Sequence, residues 1–293
     1  MNRWVVGSRP RTLPAAIVPV LVGTATAAGT AEGGITWWRA AAALVTAVAI
    51  QVGTNYANDY SDGRRGTDDP GKRVGPVRLV GSGMASAVAV RTAALAAFAV
   101  AGAAGLALAV AVDPRLVLVG AASLAAGWFY TGGRRPYGYA GMGEAFVFVF
   151  FGVVATTGSA YVQTEELTGL ALGASVPVGF MATALLVINN LRDVPSDAAV
   201  GKRTLAVRIG PVATRALYVG LLVGAVVAVP LVAGLGGRPL GALALLAVPL
   251  AQRPVTIVLQ RATGPALVPV LGATGRVQLV FGALLAAGLA LSA

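Results

Sequence analysis

The chain contains no cysteine and no histidine, which excludes thiolate nucleophiles, disulfides, iron–sulfur clusters, cysteine zinc sites, imidazole bases and histidine-held metals or haem. Charge is scarce as well. Only 11% of the 293 residues are Asp, Glu, Lys or Arg, against about 25% in a water-soluble domain. Aromatic residues amount to 6%, and no polar stretch is long enough for a large soluble domain. What is abundant is apolar: 57% hydrophobic residues and a mean hydropathy of +0.79, the composition of a chain that lives in a bilayer. Any chemistry must come from carboxylates, amides, hydroxyls, lysine and arginine.

Apolar stretches recur at about residues 12–31, 38–57, 86–110, 116–132, 142–162, 167–190, 211–233, 239–259 and 276–292. A spanning helix needs about 20 such residues, so an all-α, polytopic membrane protein of about nine helices is predicted. The eighth stretch is interrupted by Pro249, Arg253 and Pro254, and eight spans plus an interfacial segment is the alternative. Arg9 and Arg11 precede a full-length apolar run, so the first span is expected to be retained rather than cleaved. Alternating the loops puts 19 of the 22 Lys and Arg residues on the side of the N-terminus and leaves Arg39, Arg115 and Arg238 opposite. By the positive-inside rule the N-terminus is cytoplasmic and the C-terminus external. Topology thereby accounts for the net charge of +11, and no nucleic-acid partner is expected. It does not account for Asp59, Asp62, Asp68, Asp69, Glu144, Asp193 and Asp197, which all fall on the cytoplasmic side.

These acids gather in two clusters, at residues 55–69 and 189–204, at the inner ends of the second and sixth spans. On a continuous helix Asn55, Asp59 and Asp62 follow i, i+4, i+7 and share a face; Asn190, Asp193 and Asp197 follow i, i+3, i+7 and do the same. The four-span offset is what an ancient duplication within a single domain, residues 1–293, would leave. One aspartate at a span end can simply cap or solvate a loop, whereas two clusters of matching order on one side point to a shared task. Carboxylates and amide oxygens suit Mg²⁺, which takes one or two carboxylates, waters and a substrate's phosphate oxygens. Arg64, Arg65, Lys72, Arg73, Arg134, Arg135, Lys202 and Arg203 lie near in sequence or on the same side, placed to neutralise the rest of a diphosphate's charge. Topogenic or lipid-headgroup roles are the competing account of these cations.

The clusters resemble the signature of the UbiA superfamily of intramembrane aromatic prenyltransferases, Asn-Asp-x-x-Asp-x-x-x-Asp and Asp-x-x-x-Asp. The first reads here Asn58-Asp59-x-x-Asp62, with five residues before Asp68 instead of three. That spacing is similar to the superfamily's 1,4-dihydroxy-2-naphthoate branch, which serves menaquinone biosynthesis. Three further stretches resemble the same branch: Arg9-Pro10-Arg11-Thr12-Leu13-Pro14-Ala15, Tyr130-Thr131-Gly132-Gly133 through to Gly143-Glu144, and Gly201-Lys202-x-Thr204-Leu205-Ala206-Val207-Arg208.

The resemblance implies a ring of nine helices around a central cavity, a lateral opening for a prenyl tail, and a bacterial plasma-membrane enzyme with its active site facing the cytoplasm. It implies that Asp59, Asp62, Asp193 and Asp197 hold a Mg²⁺-diphosphate, two ions being expected, with Asn55, Asn58, Asp68 and Asn190 as supporting ligands. The implied partners are a polyprenyl diphosphate, 1,4-dihydroxy-2-naphthoate and membrane lipid. Arg64, Lys72, Arg73, Arg134, Arg135, Lys202 and Arg203 are the candidate diphosphate cations, and Arg134, Arg135 or Lys202 would hold the aromatic acid. Tyr130, Tyr137 and Tyr139 either line the cavity, shielding an allylic cation with their ring faces, or belong to an interfacial belt. Glu144 either positions the aromatic substrate or pairs with an arginine. A different acceptor such as 4-hydroxybenzoate keeps the fold and changes the product. A secondary transporter would instead carry its polar sites near mid-span, and these clusters sit at span ends.

Overall fold

The computed structural model describes residues 2–31, 33–66, 75 and 77–293, and among these the chain is helical with no strand. A short helix α1 (Arg3–Ser8) is followed by α2 (Pro14–Thr26), α3 (Trp37–Arg64), α4 (Ala87–Ala111) and α5 (Leu116–Phe129). The fifth apolar stretch is composite: α6 (Gly143–Val147), a π-helical segment Phe148–Val154, and α7 (Ala155–Thr164). Then come α8 (Gly169–Ala199), α9 (Leu205–Leu235), a 3₁₀ segment Pro239–Ala247 leading into α10 (Val248–Leu259), and α11 (Val268–Leu291).

Each of the nine apolar stretches is therefore helical, and seven give helices long and apolar enough to cross a membrane. The others, α2 and α5, have 13 and 14 residues, a rise of roughly 20 Å at 1.5 Å per residue. The chain is a multi-pass membrane protein. The eighth stretch is helical despite its prolines: it begins as a tighter 3₁₀ segment, Pro249 falls in the first turn of α10, where proline is tolerated, and Pro254 sits inside α10 at the cost of a helix hydrogen bond. Helix α9 is broken at Gly210, whose φ of 77° only glycine adopts readily, so the apolar run proper starts at Pro211.

The long helix α8 is the hub, buried over most of its length and packed against α2, the 143–164 segment, α9 and α11. Small residues allow the close approach that membrane helices use in place of a hydrophobic drive. A Cβ on Gly23 would stand 2.1 Å from the Thr156 carbonyl oxygen, and one on Gly288 1.9 Å from that of Leu240. Two of the three basic residues assigned outside have structural employment. Arg238 Nη2 donates to the Ala28 carbonyl at 2.7 Å and its Nη1 to that of Leu289 at 3.3 Å, capping the ends of α2 and α11. Arg39 reaches the Val162 carbonyl at 3.0 Å and Glu165 at 3.3 Å. A charge that satisfies orphan helix carbonyls stabilises the outer end even though the topological bias disfavours it there.

Helix α5 packs on α3 and α4. Between it and the 143–164 segment lies a cavity of about 570 Å³.

Candidate active site

Both acidic clusters end long helices. Helix α3 continues to Arg64 and α8 to Ala199, so the helical spacing read from the sequence applies. Asn58 and Asp62 from α3 and Asn190, Asp193 and Asp197 from α8 line one polar pocket of about 60 Å³, together with Arg9, Arg78, Tyr130, Tyr139 and Lys202. Asp62 is its hub. Its Oδ2 accepts from Lys202 Nζ at 3.0 Å and lies 3.6 Å from Arg78 Nη2, while Oδ1 accepts from the Tyr139 hydroxyl. Gly201, at φ 75°, reverses the chain after α8, and the Lys202 amide bonds back to the Asp197 carbonyl at 2.9 Å. Lys202 is thereby turned inward, 8% exposed, with Nζ 4.7 Å from the Tyr139 ring centre. A buried ion pair of this kind is weak evidence for stability and common where charge must be handled.

The structure does not place every expected residue in this pocket. Asp59 is buried, but its oxygens accept the amides of Leu79 and Val80 at 2.8 and 3.0 Å. It holds the segment that carries Arg78 and does not line the pocket. Asn55 donates to the Ser8 carbonyl and to Thr12 Oγ1, at 2.9 and 3.1 Å, which ties α3 to the N-terminal segment. Arg64 is exposed and bonded to the Tyr60 hydroxyl at 2.9 Å. Two residues past Asp62 a helical side chain points about 200° away, which is why the two part company. Arg134, Arg135 and Arg203 are exposed and outside the pocket, the first two at the tip of the turn after α5. Glu144 forms no ion pair with an arginine among the described residues and does not itself line the pocket; its Oε1 accepts from Nδ2 of the pocket residue Asn190 at 2.9 Å. Asp68, Lys72 and Arg73 lie outside the described residues.

Arg9, Arg78, Thr131, Asn189 and Thr204 line the pocket without having been singled out as ligand contacts, and Arg192 clamps Asp193. Arg9, Thr131 and Thr204 stand inside the stretches quoted above, and Asn189 and Arg192 inside the second cluster, so the signal was present. Nothing in the sequence separates Arg78 from the topogenic arginines. Arg65, another of the nearby cations, bonds the carbonyls of Thr131 and Gly133 and fixes the turn after α5. There the Thr131 hydroxyl donates to Asn58 Oδ1 at 2.7 Å.

The polar pocket adjoins the large cavity, since Arg9, Asn58, Arg78, Tyr130 and Asn189 line both. Below that junction the walls are apolar, from Tyr137 and Phe146 down to Val20, Leu108 and Val162. Tyr137 stacks on Phe146 with ring centres 3.9 Å apart and donates to the Ala126 carbonyl at 2.8 Å. Burial pushes its phenol up, so it remains a protonated donor. The arrangement is amphipathic: an ionic head pocket on a deep apolar chamber. Its donors are hard oxygens, and among the described residues no three carboxylates stand close enough to cage an ion unaided. This suits a cation such as Mg²⁺ that completes its shell with water and substrate oxygens.

A sequence model of the UbiA prenyltransferase family matches residues 16–267. The chain is 49% identical to 1,4-dihydroxy-2-naphthoate octaprenyltransferase of Mycobacterium tuberculosis, over 98% of this chain and 97% of that one. It is 36% identical to the Escherichia coli protein of the same name, over 99% and 95%. In fold it is similar to a UbiA homolog from Archaeoglobus fulgidus bound to DMAPP and Mg²⁺, with a TM-score of 0.65 at 15% identity over 98% of this chain and 99% of that one. The apo structure of a UbiA homolog from Aeropyrum pernix K1 gives 0.70 at 16% identity, over 94% and 95%. A family match across most of the sequence, and relatives aligned over nearly all of it, settle the descent of the bundle: the chain belongs to the UbiA prenyltransferase family.

Proposed function

We propose that the protein transfers a polyprenyl group from a polyprenyl diphosphate to 1,4-dihydroxy-2-naphthoate, releasing pyrophosphate and CO₂ and giving demethylmenaquinol, the reduced form of demethylmenaquinone. The observation that carries this reading is the joining of the ionic pocket around Asp62, Asp193, Asp197 and Lys202 to the 570 Å³ apolar cavity. That junction separates the two ends of a prenyl diphosphate. The acceptor is taken from the relatives, which share that name across the full length of the chain.

Asp62, Asp193 and Asp197, supported by Asn58 and Asn190, are the residues that would hold Mg²⁺, with two ions proposed. When bound, Mg²⁺ supplies positive charge against the departing pyrophosphate. Lys202 and Arg78, already beside Asp62, add fixed cations at the same place, and fixed charge in a low-dielectric site needs no reorganisation as the bond breaks. Tyr130 stands at the junction, where its ring face shields the allylic carbon from water and tolerates positive charge. The acceptor ring attacks that carbon through the position bearing its carboxylate, so loss of CO₂ restores aromaticity. The tail occupies the apolar cavity, and the gap between α5 and the 143–164 segment is its proposed lateral way in.

The proposed setting is a bacterial plasma membrane with the pocket open to the cytoplasm. In the cysteine-free chain, single cysteines at Gly66 and Ala199 are expected to react with a membrane-impermeant maleimide only from the inside, and one at Glu165 only from the outside. Labelling of Gly66 and Ala199 positions from opposite faces would break the shared pocket. The reading as a whole is tested by turnover in lipid nanodiscs with 1,4-dihydroxy-2-naphthoate and a labelled prenyl diphosphate. It predicts a prenylated quinol, and no product when 4-hydroxybenzoate replaces the naphthoate.

A further inference from the structure

Arg192 is the cation of the second motif that the mechanism above leaves unused. Its side chain is 2% exposed. Nε donates to Asp193 Oδ1 at 2.7 Å, and Nη2 donates to Asp193 Oδ2 at 2.6 Å and to Asn189 Oδ1 at 2.9 Å. Nη1, which carries two N–H groups, has no hydrogen-bond partner among the described residues. A buried cationic donor left unpaired is costly. The guanidinium also lies against bare backbone: a Cβ on Gly75 would come within 3.2 Å of Nη2. So the group is held in place by Asp193, Asn189 and a glycine, with one nitrogen kept in reserve. Arg192 and Asn189 both line the large cavity, and Asn189 lines the polar pocket as well.

We propose that Arg192 holds the carboxylate of the aromatic acceptor through Nη1, with the ring lying in the apolar cavity beside Tyr130. The proposal rests on the dihydroxynaphthoate reading and names the residue that selects a carboxylated acceptor. The exposed Arg134 and Arg135 are not at the cavity, and Lys202 lines the polar pocket beside Asp62, where it serves the diphosphate, and not the large cavity. Arg192 meets the need for a buried cation with a spare donor.

A grip by one nitrogen also fits the reaction. Asp193 takes the Nε/Nη2 edge and Asn189 takes the second Nη2 hydrogen, so neither edge of the guanidinium is left to hold the acceptor in a two-pronged Arg–carboxylate pair. A tight pair would stabilise the ground-state carboxylate and oppose its departure as a neutral molecule. In the balanced step the ring carbon forms its new C–C bond as the C–O bond to pyrophosphate breaks, leaving the adjacent ring hydroxyl as a protonated carbonyl. The C–COO⁻ bond then breaks, its electron pair returns to the ring, CO₂ leaves, and the hydroxyl keeps its proton.

The test compares two inhibitors of the Mg²⁺-loaded enzyme in nanodiscs, 1-hydroxy-2-naphthoate and 1-naphthol, which differ by the carboxylate. Arg192→Gln is expected to raise the Ki of the naphthoate by about 10- to 100-fold, the cost of a charge-assisted hydrogen bond. The Ki of 1-naphthol and the KM of the prenyl diphosphate should move by less than about threefold, well under 1 kcal/mol. Arg192→Lys, which keeps the charge, should recover part of the discrimination, and it decides the matter if the glutamine variant fails to fold. Equal rises for both inhibitors would overturn the proposal. So would a raised diphosphate KM with the carboxylate preference intact, because Arg192 would then serve the diphosphate or Asp193. A wild type that prefers 1-naphthol overturns it outright. A wild type without turnover of dihydroxynaphthoate overturns the parent reading instead, and takes this proposal with it.

Discussion

Asp62→Ala is expected to lower prenyl transfer by about 10³-fold or more, a loss of the size seen when a group stabilising transition-state charge is removed. Asp62 is where three parts of the chain meet α3: Lys202 beyond α8, Arg78 beyond the 67–74 stretch, and Tyr139 in the turn after α5. Truncating it leaves buried cations without their acceptor, a change that costs about 3–5 kcal/mol for a buried pair, so some loss of stability is expected too. Asp62→Asn separates the effects, since it keeps the volume and an acceptor oxygen while removing the charge. We expect it to fold, with a thermal midpoint in detergent within a few degrees of wild type, and still to lose at least about 10²-fold in rate. Near-normal turnover of the asparagine variant would remove Asp62 from the centre of the site. Asp59→Asn should behave in the opposite way. Its carboxylate accepts two buried backbone amides, so stability falls first and rate follows through the displaced Arg78 segment.

Chelation of divalent metal by EDTA should stop turnover to within background, a fall of at least about 10²-fold, with recovery on adding Mg²⁺. The reason is a balance of charge. A diphosphate entering the pocket meets Asp62, Asp193 and Asp197, and the cations beside them, Lys202, Arg78 and Arg192, already answer those carboxylates. Without added positive charge the leaving pyrophosphate would sit against acidic residues in a site only partly solvated. Initial rates at graded free Mg²⁺ test this. Undiminished turnover in EDTA would mean that Lys202, Arg78 and Arg9 stabilise the leaving group alone.

What the sequence disclosed followed from two strong regularities. Apolar runs of about 20 residues mark membrane helices because no other open structure satisfies its backbone in lipid, and all nine runs are helical. The helical spacing of Asn190, Asp193 and Asp197 was legible because α8 continues unbroken through the second motif, whereas of the face read on α3, Asn55–Asp59–Asp62, only Asp62 reaches the pocket, where Asn58 joins it. Periodicity gives the face of a helix but not what stands opposite. Asp59 falls close to the Asn55–Asp62 face and is nonetheless drawn to the amides of residues 79 and 80, the loop-capping role open to any aspartate at a span end. The exposed Arg134 and Arg135 and the buried Arg192 look alike in sequence, since burial of an arginine depends on partners such as Asp193 and Asn189 that only the fold brings into register. The same holds for Glu144, whose partner Asn190 comes from another helix.

The central claim is that this pocket prenylates a ring carbon that bears a carboxylate, and it is tested most directly with carboxyl-labelled 1,4-dihydroxy-2-naphthoate. Label should leave as CO₂ in step with prenylated product and with pyrophosphate, in equal amounts at every time point, and product should carry none. Retention of label in the prenylated product would contradict the account, because the acceptor would then have lost a ring proton and kept its acid.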